Sequence, residues 1–315
     1  MQPRILVIKL SSLGDFIQAL GAMAAIRRHH AGDHVTLLTT KPYRALAERS
    51  GLFDEIWIDP RASALRPDRW LPLIKRLREG GFARIYDLQW ADRTGAYFRA
   101  LKKPRPEWVG IVEGCSHRLA EPKARRHIRD RQAALLELAG IETVGPPDLR
   151  FLTADISHFG IERPYALLVP GSSPAHRRKR WPAARFGAVA RALAEQGIAP
   201  VLIAGSAERA EAEAIAAACP EARDVDTGLE EIVELAKGAC VAVSNDTGPA
   251  FLIEAGGCPL VLLYGAGSDS VKLAPRGQAV RVLRGAEVDD IDEAAVLAAV
   301  HEIMRGASAD GRAKA

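Results

Sequence analysis

The sequence predicts an α/β protein of two Rossmann-like domains, each built on a parallel sheet, facing one another across a cleft. Three observations lead there. Short β-branched runs alternate with helical patterns along the chain, the signature of right-handed β-α-β units and a sheet covered on both faces. A proline-punctuated join, from Pro146-Pro147 to Arg163-Pro164, interrupts the alternation near the middle. Several strands also run into loops of glycine and small polar residues, as strands do at the ligand edge of an open sheet. With 315 residues and 48% hydrophobic content, the chain can fill two ordinary cores.

In the first half, strands are predicted at Arg4–Ile8, His34–Thr39, Glu55–Ile58 and Ala83–Leu88, with helices at Asp15–His29, Tyr43–Arg49 and Arg69–Glu79. In the second, strands Ala166–Val169, Pro200–Ala204, Cys240–Ser244 and Leu260–Tyr264 alternate with helices Ala183–Glu195, Ala207–Ala218 and Gly248–Ala255. An amphipathic helix at Ile291–Met304 follows. These elements set an N-terminal domain at 1–155, a C-terminal domain at 156–306, and a small polar tail at 307–315 expected to be disordered.

No apolar run reaches the roughly 20 residues that span a bilayer. Met1-Gln2-Pro3-Arg4 leads straight into a strand, without a secretory pattern. Cys115, Cys219, Cys240 and Cys258 show no C-x-x-C spacing and read as reduced thiols of a cytoplasmic protein. His117, His127, His158 and His301 form no metal-spaced cluster and are expected at the surface, so neither metal nor cofactor is expected. Charge is unevenly divided. Residues 1–150 carry 26 Lys/Arg against 17 Asp/Glu, a balance of +9, and residues 151–315 carry 17 against 22, a balance of −5. Arg99 to Arg131 alone holds ten basic and four acidic side chains. Such a face is either solvated surface or an attractor for phosphorylated or carboxylated partners, an anionic membrane included. It lacks interleaved aromatics and a binding motif, which argues against nucleic acid.

Four strand-end loops carry candidate chemistry. After the first strand, Lys9-Leu10-Ser11-Ser12-Leu13-Gly14-Asp15 presents one carboxylate, Asp15, among the small groups Ser11, Ser12 and Gly14, which let a substrate approach closely. A catalytic base can stand there. Ser244-Asn245-Asp246-Thr247-Gly248-Pro249 opens a helix, with Pro249 in the first turn, where its missing N–H is no loss. Free amides and the partial positive charge of that helix start suit a phosphate, unless Asp246 or Thr247 simply caps the helix. Val169-Pro170-Gly171-Ser172-Ser173 leads into His176-Arg177-Arg178-Lys179-Arg180-Trp181-Pro182. Those five basic groups are either solvated surface or a metal-free diphosphate site made of charge-assisted hydrogen bonds. In Ala204-Gly205-Ser206-Ala207-Glu208, the Glu208 carboxylate accepts ribose or sugar hydroxyls or serves only as a first-turn helix acid. Gly265-Ala266-Gly267-Ser268-Asp269-Ser270 lacks the third glycine of a dinucleotide fingerprint and a following helix, and no Walker A loop is present.

The ordered set Lys9-x-Ser11-Ser12-Leu13-Gly14-Asp15, Asp87-Leu88-Gln89, Lys179-Arg180-Trp181-Pro182, Gly205-Ser206-Ala207-Glu208 and Asp246-Thr247-Gly248-Pro249 resembles glycosyltransferase family 9. These are the heptosyltransferases of the bacterial lipopolysaccharide inner core, and the resemblance covers nearly the whole chain. It implies a GT-B fold and metal-independent inverting transfer, with acceptor on the N-terminal domain and nucleotide-sugar on the C-terminal one. Asp15 takes the position of the family's base, Lys179 that of the lysine on the donor phosphates, and Glu208 that of the acid near the ribose. Asp246, Thr247 and Gly248 match the sugar and diphosphate loop, and Gln89, Ser172 and Ser173 join the expected substrate contacts. The implied partners are ADP-heptose and an anionic glycolipid acceptor at the cytoplasmic face of the inner membrane. One position departs: Phe251 stands where the family usually has histidine, and phenylalanine cannot donate to phosphate or sugar. That leaves open a different sugar-nucleotide donor, or a degenerate protein that binds nucleotide-sugar or glycolipid without transfer.

Overall fold

The computed structural model describes residues 2–62, 66–120, 126–172, 178–265, 274–277 and 279–309. Arg4–Ile8 forms β1. Ile5, Leu6, Val7 and Ile8 are all buried, because a parallel strand lying between helices is covered on both faces. His34–Thr39 (β2), Glu55–Ile58 (β3), Phe82–Asp87 (β4), Glu107–Gly110 (β5) and the two-residue His117–Arg118 (β6) complete a parallel sheet ordered β3-β2-β1-β4-β5-β6. Its helices are Leu13–His29 (α1), Arg44–Ser50 (α2), Pro67–Glu79 (α3), Asp92–Ala100 (α4) and Ile128–Glu137 (α5). One face of the sheet packs Leu6, Ile8 and Ile85 against Leu73, Ile74 and Leu77 of α3 and Tyr97 and Phe98 of α4. Helix α1 is buried along most of its length. Gly21 belongs there because a Cβ at that position would run into the Gly145 carbonyl.

Tyr165–Val169 (β7), Ala199–Ile203 (β8), Arg223–Val225 (β9), Val241–Asn245 (β10), Leu260–Tyr264 (β11) and Val280–Arg284 (β12) build a second parallel sheet, ordered β12-β11-β10-β7-β8-β9. Helices Ala183–Ala194 (α6), Arg209–Ala218 (α7), Leu229–Gly238 (α8), Gly248–Ala255 (α9) and Glu293–Ala309 (α10) flank it. Phe186, Val189 and Leu193 of α6, Ile215 of α7 and Val296, Val300 and Ile303 of α10 join Leu168, Leu202, Val243 and Leu263 in one core.

Counted within each sheet, both orders are the doubly wound 3-2-1-4-5-6. The chain reverses direction across the sheet between the first and fourth strands, β1 and β4 in one case, β7 and β10 in the other. Ligands bind at the carboxyl ends of the two strands that flank such a switch point. The Lys9–Asp15, Asp87–Gln89, Pro170–Ser172 and Asn245–Gly248 segments occupy those four strand ends.

The expected strands and helices form within one or two residues of their bounds, except that a 3₁₀ turn, Ser206–Glu208, precedes α7 and α10 runs on to Ala309. Residues 307–309, expected in the tail, are therefore helical, and 310–315 lie outside the described residues. Helices α4 and α8 and strands β5, β6, β9 and β12 add to the expected set. The chain divides into Met1–Asp148 and Leu149–Ala315, at the front of the proline-rich join. Among the described residues, no helix is long and apolar enough to cross a membrane.

Candidate active site

At the end of β1 the backbone enters α1 through Lys9–Ser12, and Asp15 occupies the third helical position. Its Oδ2 accepts from the Ser12 amide (3.3 Å) and the Ser12 hydroxyl (3.1 Å). Oδ1 has no hydrogen-bond partner among the described residues, so the carboxylate is held by one oxygen and can take a proton on the other. Lys9 lies beneath it, 2% exposed, its Nζ 3.4 Å from the Leu88 carbonyl. Burial pulls the Lys9 ammonium below the usual lysine range, against the opposing attraction of Asp15 and Asp87. Arg61 extends its Nη1 to the Ser11 Oγ at 3.0 Å. The Arg61 backbone is in the left-handed region (φ +48°), held there by its amide bond to Asp59 Oδ1 (2.7 Å). Asp59 is itself locked by Arg93 Nη2 and Nε, at 2.6 and 2.8 Å.

Beside it, the end of β4 supplies Asp87 and Gln89. Gln89 Oε1 accepts from the Leu10 and Ser11 amides, at 2.8 and 3.1 Å. The carbonyl end of this side chain, expected among the substrate contacts, is thus spent on bracing the loop that carries Asp15.

The second sheet repeats the placement with different chemistry. Trp181 anchors the basic run: it is buried, its ring donates to the Ile291 carbonyl (2.8 Å), and its amide donates to Asn245 Oδ1 (3.1 Å). Asn245 Nδ2 in turn donates to the Pro170 carbonyl (2.7 Å), tying the ends of β7 and β10 together. Burial of a tryptophan of this kind is worth about 3–5 kcal/mol, enough to fix the two residues before it. Lys179 Nζ reaches Asp246 Oδ2 at 2.6 Å. Arg180 meets Glu208 Oε1 (2.7 Å) and Glu211 Oε1 (2.5 Å), and its Nη2 donates to the Ser172 carbonyl (2.9 Å). Thr247 is the N-cap residue of α9, yet its side chain makes no cap hydrogen bond. Asp246 pairs with Lys179, and in the first turn of α9 the Ala250 amide donates to the Thr247 carbonyl (3.2 Å) while Pro249 has no N–H to offer.

Several expectations change here. The basic run is not five equivalent phosphate ligands. Arg180 is committed to two carboxylates and a carbonyl, Arg178 is exposed, and His176 and Arg177 lie outside the described residues, as do Ser173 and residues 266–270 of the near-fingerprint loop. Ser172 is 3% exposed and receives Arg180 Nε on its Oγ (3.3 Å), so it too is tied into the frame. Glu208 is buried, gripped by Arg180, and pressed by the backbone: a Cβ on Gly171 would lie 2.8 Å from its Cγ. It is no solvated first-turn acid. His127 is buried rather than at the surface, because its Nδ1 caps α5 by accepting from the Arg129 amide (3.2 Å). Phe251 is packed into the first turn of α9, 7% exposed. No group of three His, Cys, Asp or Glu among the described residues could hold a metal ion.

Arg61, Asn245 and Tyr264 complete the two strand-end sites without having been expected there. Tyr264 ends β11, and burial together with the neighbouring Asp246 charge pushes its phenol up. Asn245, one residue before the Asp-Thr-Gly sequence, and Tyr264, just before a strand-end glycine, had a positional signal. Arg61 had none, because its position depends on a left-handed residue and a distant Arg93–Asp59 pair.

The glycosyltransferase family 9 (heptosyltransferase) profile matches residues 70–293. The chain belongs to glycosyltransferase family 9. The fold is shared with the family 9 glycosyl transferase from Veillonella parvula DSM 2008 (TM-score 0.81, 18% identical, covering 96% of this chain and 97% of that one). It is also shared with E. coli ADP-heptose lps heptosyltransferase II (0.78, 20%, 98% and 100%). E. coli heptosyltransferase WaaC with ADP-2-deoxy-2-fluoro heptose gives 0.75 at 20% identity, over 95% and 99%. No curated protein matches the chain in sequence. The two doubly wound sheets are therefore the two Rossmann-like halves of a GT-B fold, and the protein is a glycosyltransferase.

Proposed function

We propose that this family 9 enzyme moves a heptose from ADP-heptose to a lipopolysaccharide inner-core acceptor, with inversion and without a metal. The observation that carries the reading is the division of charge between the two switch points. One presents a carboxylate with an oxygen that has no partner among the described residues, and the other presents a lysine beside the start of a helix.

Asp15 Oδ1 takes the proton of the acceptor hydroxyl as that oxygen forms its bond to the anomeric carbon, which needs a reach of about 2.6–3.2 Å. The bond from the anomeric carbon to the β-phosphate oxygen breaks on the opposite face, and its electron pair leaves on ADP. Lys179 exchanges part of its pairing with Asp246 for the diphosphate, and the partial positive charge of the α9 start favours the developing charge, which is the work a metal does elsewhere. Asp246 and Thr247 then bind sugar hydroxyls, and Glu208, oriented by Arg180, binds the ribose. Arg61 and the +9 balance of residues 1–150 suit an acceptor that carries phosphates and acidic sugars beside an anionic membrane face in the cytoplasm.

A second reading has support from one residue: apolar Phe251 in the first turn of α9 suits a different sugar nucleotide in the same site. A thermal-shift screen of ADP-, GDP- and UDP-sugars, followed by turnover with inner-core acceptor, separates the two. Stabilisation and turnover with ADP-heptose support the first reading; selective response to another nucleotide-sugar overturns it. Activity that EDTA abolishes contradicts metal independence.

A further inference from the structure

The Lys9–Asp15 segment is short of regular hydrogen bonding where it leaves β1, yet it must hold a base to within a fraction of an ångström. Its backbone amides at Leu10 and Ser11 both end on one side-chain atom, Gln89 Oε1 (2.8 and 3.1 Å). Gln89 is itself fixed from behind. Its amide donates to Asp87 Oδ1 at 3.0 Å, and the Trp90 amide joins on the same oxygen at 3.1 Å. Asp87 Oδ2 accepts from the Thr94 hydroxyl at 2.7 Å.

This turn is expensive. Trp90 sits in the left-handed region (φ +54°), which is strained for a residue that carries a side chain. Asp87 is 1% exposed, and loss of solvation pushes its carboxyl up to about 6. Gly110 on β5 allows the close packing, since a Cβ there would stand 3.3 Å from the Asp87 Cβ and 2.7 Å from the Trp108 ring nitrogen. A buried carboxylate and a strained turn both lower stability, and what they secure is the position of Gln89.

We propose that Asp87 and Gln89 are positioning residues for transfer: Asp87 gathers the Gln89–Trp90 turn, and Gln89 pins the Leu10–Ser11 backbone that aims Asp15. This rests on the reading of Asp15 as the base. Neither side chain needs to touch substrate for the effect, and the brace lies wholly within the first unit, so donor binding is left alone.

Gln89→Leu severs the link and Asp87→Ala removes its anchor. Asp87→Asn keeps an oxygen able to accept both amides, with its NH₂ turned to the Thr94 hydroxyl, and serves as the conservative rescue. In Gln89→Leu and Asp87→Ala, kcat falls about 10–100-fold, the scale of a misplacement near 1 Å, with KM for the nucleotide-sugar unchanged. Hydrogen exchange at the Leu10 and Ser11 amides speeds up in both, while Asp87→Asn returns kcat and exchange close to native. Native kcat in Gln89→Leu, slow turnover with unchanged loop exchange, or an Asp87→Asn enzyme as slow as Asp87→Ala would each overturn the brace. Should Asp87→Ala fail to fold, Gln89→Leu and Asp87→Asn still decide it. Exchange is measured without donor or acceptor, so a native protein that turns over no donor sinks the transfer reading and leaves the brace to be judged by exchange.

Discussion

The two strand-end sites share one topology and are held together by opposite means. At the β1/β4 switch point, the loop is fixed by hydrogen bonds from neutral donors: two amides on Gln89, two amides and a hydroxyl on Asp87, an amide and a hydroxyl on Asp15. At the β7/β10 switch point, the frame is ionic, with Lys179 on Asp246 and Arg180 between Glu208 and Glu211. On the proposed reading, a base keeps an uncommitted oxygen, and hydrogen bonds from neutral donors fix it without cancelling its charge. A site for a leaving diphosphate has to hold cations in readiness, and carboxylates keep them in place until the ligand arrives. On that reading, the shared fold supplies the location and the charge content supplies the role.

If that division holds, replacing the carboxylate on the first side costs chemistry. Asp15→Ala is expected to lower kcat by about 10²–10⁴-fold, the usual worth of a general base, as measured by product formation. On the ionic side, Arg180→Ala leaves Glu208 and Glu211 without their shared partner. With the Arg180 side chain 9% exposed and its partners 12% and 25% exposed, stability should fall by about 3 kcal/mol, read from urea unfolding. Lys179→Ala should weaken ADP binding by roughly 10–100-fold, the worth of one charge-assisted hydrogen bond, by calorimetry.

The smallest expected effect returns to the β1/β4 side. Burial raises the Asp87 carboxyl from the 3.8 of a solvated aspartate to about 6 in the folded protein, so the native state binds the extra proton between those values. Stability of the native protein relative to Asp87→Asn should therefore rise as pH falls from 7 to 5, by about 1 kcal/mol. Urea titrations at the two pH values check it, and a rise in the opposite direction would make Asp87 a stabilising rather than a costly anion.

The central strands and their loops were legible because they are buried on both faces and end abruptly in small residues, as at Ile8 and Val169. The elements that escaped are those whose partners supply the signal. Strand β6 is two residues, His117–Arg118, and β9, Arg223–Val225, has a single buried side chain. Strand β12 alternates charge with apolar residues at a sheet edge and has no fully buried position. In the site, motif spacing marked Asp15, Lys179, Glu208 and Asp246, but it could not say which neighbours hold them. Arg180 read as one more phosphate ligand because Glu208 and Glu211 lie 28 and 31 residues away in sequence. The bracing role of Gln89 had no sequence signal, because the partners of its Oε1 are the amides of residues 10 and 11, and backbone amides leave no mark in a sequence.

Titration of ADP into Asp15→Ala, beside Lys179→Ala and the native protein, tests the division most directly. The account predicts that Asp15→Ala binds ADP as the native protein does, while Lys179→Ala binds it about tenfold or more weakly. Equal loss of ADP affinity in the two variants would contradict it, because the first site would then be holding the donor.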